Sequence, residues 1–184
     1  MSEYIRTYWR RDLHDAAPLL LFFLIYMPLF MLLEKGGSRD YTVMHAAVDD
    51  VIPFCEYFVI PYLLWFPFML VGVVGIFFLD RECYRKSSEM LIAGMSIFLI
   101  ISGLFPTEQH LRPVFFIRDN FCTELVRILY RTDTPTNVFP SIHVYNTLCV
   151  WYAVSESRSR ILQNPAVKEL SGQCRYRSSY LPCF

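Results

Sequence analysis

Four apolar stretches without charged side chains constrain what this chain can fold into more than any other feature. They cover residues 16–33, 57–79, 90–105 and 138–154, and the charged residues crowd into the segments between them. A charged side chain inside a bilayer costs several kcal/mol, and about 20 apolar residues in a helix cross its hydrocarbon core. The pattern therefore predicts an all-α, polytopic membrane helix bundle with about four transmembrane helices.

The composition narrows the partners that such a chain can have. Only 18% of its residues are charged, against roughly 25% in soluble domains, and 17 Lys and Arg balance 17 Asp and Glu. This balance excludes the basic surface that nucleic-acid binding requires, so the lipid bilayer is the expected partner. The cysteines and histidines lack metal-ligand spacing. We expect no metal, no other cofactor and free cysteines, with a Cys55–Cys122 disulfide as the alternative.

The distribution of Lys and Arg predicts the orientation in the membrane. If the N-terminus is cytoplasmic, the segments on that side carry 11 of the 17 Lys and Arg residues and those on the other side carry 6. Cytoplasmic loops are enriched in these residues. We therefore predict a multi-pass protein of the cell membrane, with residues 1–15 as a cytoplasmic leader, 16–154 as the transmembrane domain and 155–184 as a polar tail.

The loop before the fourth stretch has a helical pattern of its own. Asp119 or Asn120 can cap a helix that runs to about Arg131. Its apolar residues share one face: Phe121, Leu125, Ile128 and Leu129. A helix of this kind is expected to lie in the membrane interface.

Three acidic residues precede the second stretch, namely Asp49, Asp50 and Glu56. Paired carboxylates can hold a metal or transfer protons, but charged residues just ahead of an apolar helix are usually solvated. We interpret them as the solvated start of that helix.

The fourth stretch begins with polar residues that suit anion binding. Asn137 is its predicted N-cap, because Pro140 is tolerated in a first turn, and Ser141 and His143 then lie in the first two turns. Free backbone N–H groups and the positive dipole end attract phosphate there, and a histidine can protonate a leaving oxygen. Arg112, beyond the third stretch, can clamp phosphate oxygens with its guanidinium.

These residues resemble a known pattern. Arg112-Pro113 and the later Pro-Ser-Ile-His143 are similar to the first two of three motifs in the type 2 phosphatidic acid phosphatase superfamily, and FPSIHV resembles its branch of inositolphosphotransferases and sphingomyelin-synthase-like enzymes. The resemblance implies a six-helix membrane fold. It also implies metal-independent hydrolysis or transfer of a lipid phosphate or phosphoalcohol through a phosphohistidine. By position, Arg112 and Ser141 would bind phosphate and His143 would be the catalytic general acid, on the extracytoplasmic side.

Two departures from the family pattern limit what the resemblance implies. Phe105 replaces a lysine of the first motif, for which Arg118 or His110 could substitute. The third motif supplies a nucleophilic histidine and its aspartate on a later helix, whereas no histidine follows His143 and no further stretch is long enough to span. We therefore expect a chain truncated or frame-shifted before the third motif, with an aberrant tail and no turnover.

Two other interpretations stay open from the sequence. A functional short enzyme could be completed by another subunit or use a different nucleophile, for which Cys122 and Cys149 are the candidate thiols. A non-catalytic multi-pass membrane protein could instead use Arg112, Ser141 and His143 only for packing and anchoring.

Overall fold

The computed structural model describes residues 2–35, 40–159 and 164. Within these ranges the chain forms five α-helices and one sheet of two very short strands, so the predicted all-α fold is confirmed. The helices are α1 (Ser2–Lys35), α2 (Val59–Leu79), α3 (Arg81–Leu104), α4 (Phe121–Thr132) and α5 (Ile142–Glu156). The strands are β1 (Thr42–Val43) and β2 (Thr107–Glu108), and a 3₁₀ turn at Glu56–Phe58 leads into α2. Most of the predicted tail lies outside the described residues.

Three helical segments are long and apolar enough to cross a membrane: Leu13–Glu34, Glu56–Leu79 and Arg81–Leu104. Most of their side chains are not buried inside the bundle, and large apolar residues such as Leu24 and Leu64 face outward. A soluble monomer does not leave apolar surface of this extent in water. The described part of the chain is thus an all-α membrane bundle with an outer surface suited to lipid.

The predicted fourth span is shorter than the sequence indicates. Helix α5 has 15 residues, or about 22 Å at ~1.5 Å per residue, whereas a hydrocarbon core is about 30 Å thick. Asn137 has a positive φ of 54°, and its backbone N–H donates to the Thr107 carbonyl at 2.6 Å. This pairing with β2 keeps residues 136–139 out of the helix. Three helices, rather than four, therefore reach spanning length within the described ranges.

Helices α2 and α3 form a hairpin joined by Asp80 alone. The Asp80 carboxylate accepts a hydrogen bond from the Cys83 amide at 3.1 Å and so caps α3. Lys86 and Glu82 pair at 3.0 Å one helical turn apart. Helix α3 therefore begins well before residue 90, where its apolar stretch starts, and the charged residues ahead of that stretch lie on helical turns rather than in a loop.

The end of the bundle where α2 and α3 meet is called the hairpin end. The Arg81 guanidinium pairs with Asp15 of α1 at 3.0 Å. The Asp80 carboxylate also accepts from the Ser157 hydroxyl at 3.0 Å and from the Arg158 amide at 2.8 Å. One short connection thus holds α1, α3 and the chain beyond α5 together.

The opposite end of the bundle, called the cap end, consists of residues 40–58 and 105–141. Strand β1 pairs with β2 in parallel, and a bridge joins Glu108 to Thr136. The segments that follow α1 and α3 and the segment that precedes α5 therefore meet here. The sequence does not predict this sheet, because strands of two residues carry no recognisable pattern.

Close packing between α3 and α5 forms the core of the bundle. The Tyr145 hydroxyl donates to the Met90 carbonyl at 2.8 Å, and a Cβ added at Gly94 would overlap the Tyr145 ring. On α2, Gly72 leaves room for Val150 in the same way. Small residues of this kind let membrane helices approach closely. They fix α5 against both neighbours and so fix the position of its first turn.

Candidate phosphate site

Ser141, rather than the predicted Asn137, is the N-cap of α5. Its hydroxyl accepts a hydrogen bond from the Val144 amide at 3.4 Å, and its side chain is exposed. Asn137 does not take this role because its pairing with β2 holds it in a left-handed conformation ahead of Pro140. The first amides of α5 therefore open onto the cap end beside an exposed hydroxyl, an arrangement that suits an anion.

His143 lies in the first turn of α5, and its ring packs against two aromatic rings of α2. The ring centroids are 4.4 Å apart for Trp65 and 5.5 Å apart for Tyr62. The Trp65 indole donates to the Thr147 hydroxyl at 2.8 Å, and that hydroxyl donates to the His143 carbonyl at 2.7 Å. Among the described residues, neither ring nitrogen of His143 has a hydrogen-bond partner. The aromatic contacts thus fix the ring and leave both nitrogens available to a ligand.

Arg112 lies between β2 and α4, and its guanidinium contacts the C-terminal end of α4. One nitrogen donates to the Tyr130 carbonyl at 3.2 Å and another to the Asp133 carbonyl at 2.9 Å. The guanidinium carbon is 4.4 Å from the centroid of the Tyr130 ring. These contacts fix the cation but engage two of its five N–H donors. The remaining donors can bind an anion.

Two carboxyl groups that the sequence analysis missed lie near Arg112. The Asp133 carboxyl lies near Glu34, at the end of α1, and near Tyr62 of α2, and both side chains affect its pKa. Glu34 also accepts from the Thr134 hydroxyl at 2.9 Å. Burial, and then the charge of Glu34, raise the pKa of Asp133 above its ordinary value despite the Arg112 cation.

Tyr62 connects the two halves of the predicted site. Its ring packs on the His143 ring, and its side chain lies near the carboxyl of Asp133, whose backbone carbonyl accepts from Arg112. Arg112 and His143 are therefore linked through two residues of the cap end, Tyr62 and Asp133. No sequence signal singles out Tyr62, because tyrosine near the end of a span is common in membrane helices.

The residues considered as substitutes for the missing family lysine have other partners. Arg118 pairs with Glu56 at 3.5 Å, and His110 pairs with Glu108 at 2.9 Å. Phe105, which stands at the lysine position, ends α3 with an exposed ring. Arg112 thus remains the predicted phosphate-binding cation.

Glu56, interpreted from the sequence as a solvated residue, is buried, which corrects that interpretation. Its side chain is 5% exposed and accepts from the Asn120 amide group at 3.0 Å. Asn120 also caps α4 by accepting from the Thr123 amide at 3.0 Å, so the predicted helix and its cap are confirmed. Glu56 thus links the start of α4 to the start of α2. These two segments are too far apart in sequence for residue spacing to predict the contact.

The cysteines of the described ranges are free, so the alternative of a Cys55–Cys122 disulfide is wrong. Cys122 and Cys149 are both buried, the latter within the core between α3 and α5. A nucleophilic cysteine needs an accessible thiolate, and these two positions do not provide one. The same described residues contain no group of three or more His, Cys, Asp or Glu side chains that could hold a metal ion.

No protein-family model matches the chain, and no match was found among curated proteins or solved structures. The geometry of the cap end is therefore what supports a function, and the likeness to the phosphatase superfamily stays a prediction from the residues that carry it.

Proposed function

We propose that the cap end binds the phosphate group of a membrane lipid. Arg112 and Ser141 bind the phosphate oxygens, and His143 points a proton donor at the ester oxygen, the roles implied by the resemblance to the type 2 phosphatidic acid phosphatase superfamily. The observation that carries this proposal is the position of Tyr62, which packs on the His143 ring and lies near the Asp133 carboxyl, whose backbone carbonyl accepts from Arg112.

Electrostatics favours an anion at this position. The first N–H groups of α5 carry the positive end of the helix dipole, and the Arg112 guanidinium adds a fixed cation. Burial and the nearby Glu34 raise the pKa of Asp133, which limits the opposing negative charge while the Asp133 carboxyl is protonated. Phosphate binding is therefore expected to weaken as the pH rises through the raised pKa of Asp133.

We propose binding without turnover for this sequence. Covalent phosphoryl transfer needs a nucleophile and a base or orienting partner, and the 184 residues contain no histidine beyond His143. The buried thiol of Cys149 cannot replace it. Purified protein in detergent micelles is accordingly expected to release no phosphate from phosphatidate.

The proposed site faces the extracytoplasmic side of the cell membrane. Helices α1 and α3 end at the cap end, whereas α2 and α5 begin there. The segments predicted on the side of the hairpin end carry 11 of the 17 Lys and Arg residues, and Lys and Arg are enriched on the cytoplasmic side. A lipid phosphate or phosphoalcohol headgroup of the outer leaflet would then reach the site from the side of the bundle.

A purely structural role without phosphate binding is the second candidate, and two sets of contacts favour it. Arg112 is held by two backbone carbonyls and by the Tyr130 ring, and the His143 ring packs against Trp65 and Tyr62. In that role these residues stabilise the cap end of a multi-pass membrane protein and bind no phosphate.

A titration followed by NMR distinguishes the two candidates. The full chain with isotope-labelled histidine rings, in lipid nanodiscs, is titrated with inorganic phosphate and with short-chain phosphatidate. Phosphate binding predicts a saturable shift of the His143 ring signals. His45 and His110 are matched controls on the same end of the bundle, because they already pair with Asp50 and Glu108, and their signals should not move.

The Arg112→Gln variant is expected to lower phosphate affinity at least about tenfold, because a hydrogen bond to a charged group contributes ~1.5–3 kcal/mol. Arg131→Gln removes an exposed arginine of α4 and should leave the affinity unchanged. If His143 does not shift, or shifts equally in the Arg112→Gln variant, the phosphate proposal is wrong and the packing role stands.

A further inference from the structure

Two loops at the cap end expose large apolar side chains. We define the loop patch as Val51, Phe58, Val114, Phe115, Ile117 and Phe121. The exposed fraction is 85% for Val114, 84% for Phe115 and 101% for Ile117. Single exposed apolar residues are ordinary on protein surfaces, but six large ones on two adjoining loops indicate an interaction surface.

Specific contacts join the two loops that carry the patch. The Phe54 and Phe116 rings are 5.7 Å apart. Buried Glu56 accepts from Asn120 at 3.0 Å and pairs with Arg118 at 3.5 Å. Each of these contact residues lies next to or near a patch residue in sequence. The contacts therefore join the two loops while the patch side chains themselves stay exposed.

Helix α4 extends the same outward surface. Cys122 and Val126 pack against Val59 at the start of α2, so this face of α4 is already covered. Phe121 and Ile128 lie on a different face and are exposed, whereas Leu125 and Leu129 pack in the bundle, so the predicted apolar face is only partly packed. Helix α4 thus presents one apolar face to the bundle and a second one to its surroundings.

We propose that the loop patch inserts into the lipid leaflet at which α2 enters the membrane. Phe58 belongs to the patch and also opens α2, and the next residues along that helix, including Ile60 and Leu64, expose apolar side chains. The patch is therefore continuous with the lipid-suited surface of a membrane-spanning segment. Amphipathic segments bury such a face at the boundary between headgroups and acyl chains.

The charges beside the patch favour neutral lipid over an acidic partner. Arg127 pairs with Asp119 at 2.9 Å and with Glu124 at 3.0 Å, and Arg118 pairs with Glu56. Recognition of anionic lipid or of an acidic protein depends on clustered cations that carry no local counter-charge. Because these arginines have counter-charges, the apolar side chains supply the attraction and the paired charges lie at headgroup level.

Photocrosslinking in a defined bilayer tests this proposal. Phe115 and Ile117 are replaced, one at a time, by the photoreactive residue p-benzoylphenylalanine in the full chain, in nanodiscs of phosphatidylcholine alone. Both side chains are largely exposed, so the replacements remove no packing. Leu64, exposed on α2, is the positive control for lipid contact, and Glu124, which carries charge on α4, is the negative control.

Illumination is expected to add the mass of one phosphatidylcholine at positions 115 and 117, with a yield close to that at Leu64 and several-fold above that at Glu124. Crosslinks to a second copy of the chain would overturn the proposal in favour of a protein interface. Crosslinks within the chain would overturn it in favour of packing against the bundle. No adduct at 115 and 117 while Leu64 gives one would overturn it as well, because the patch would then face water.

Discussion

Each end of the bundle contains an aspartate whose pKa is shifted, and the two shifts have opposite directions. At the hairpin end, burial favours a higher pKa for Asp80, but donation from two backbone amides and the Ser157 hydroxyl outweighs it, and the pKa is lowered. At the cap end, burial and the neighbouring Glu34 raise the pKa of Asp133.

This difference separates an end that stabilises the fold from an end that gathers groups able to bind a ligand. The ionised Asp80 is matched by donors from α3 and from the chain beyond α5, so its charge contributes to stability. The carboxyl of Asp133 lies against another acid and near an arginine whose remaining donors can bind an anion. Clusters of this kind, with perturbed pKa values, are typical of functional sites. The two ends should therefore respond differently to mutation and to pH.

The largest expected change in the free energy of unfolding is at the hairpin end. Asp80→Ala removes the N-cap of α3 and the acceptor of the Ser157 hydroxyl, and should lower the free energy of unfolding by about 2 kcal/mol at neutral pH, the upper part of the range for a lost cap. Unfolding by sodium dodecyl sulfate in mixed micelles measures the change. Asp80→Asn, which keeps an acceptor for the cap, is the matched control and should lose less.

The pH dependence of that effect has a definite sign. The folded pKa of Asp80 is lowered, so its contribution is present above the unfolded value of about 3.9 and is lost as the pH falls through the folded pKa. The difference between wild type and Asp80→Ala should therefore shrink on acidification. A variant as stable as wild type at neutral pH would show that the hairpin end does not depend on this carboxylate.

A smaller effect of opposite sign is expected at the cap end. The pKa of Asp133 is raised, so its contribution to stability is present below the unfolded pKa and is lost as the pH rises through the folded pKa. Thermal unfolding midpoints in detergent should fall as the pH rises from the unfolded value of about 3.9 through the raised folded pKa, and fall less in Asp133→Asn. The exposed Asp40 provides the control variant Asp40→Asn. Equal pH dependence in wild type and Asp133→Asn would show that folding does not raise the pKa of Asp133.

The parts of the fold that were predictable from the sequence depend on local patterns. Runs without charge locate the membrane-spanning segments, and Asn120 is recognisable as a cap because a capping side chain bonds within its own helix turn. The start of α5 was not predictable. Asn137 suits an N-cap by residue type. Its backbone amide instead donates to the Thr107 carbonyl, beside a sheet that no sequence pattern indicates.

In the candidate site, too, the local features were predictable and the contacts between distant segments were not. Arg112, Ser141 and His143 were named from residue type and from their positions at the ends of apolar stretches. The contacts that surround them come from Tyr62 and Glu34, on helices far away in sequence. A single sequence does not reveal contacts between such distant segments, since each residue alone is ordinary at the end of a membrane helix.

A double-mutant cycle on phosphate affinity tests the central claim most directly. Calorimetric titration of phosphate into wild type, Arg112→Gln, His143→Gln and the double variant gives the energy by which the two side chains depend on each other. If both contact one anion, the double variant will lose less than the two single losses together, with a coupling of about 0.5–3 kcal/mol. Strictly additive losses, or an unchanged affinity in either single variant, would show that Arg112 and His143 do not form one phosphate site.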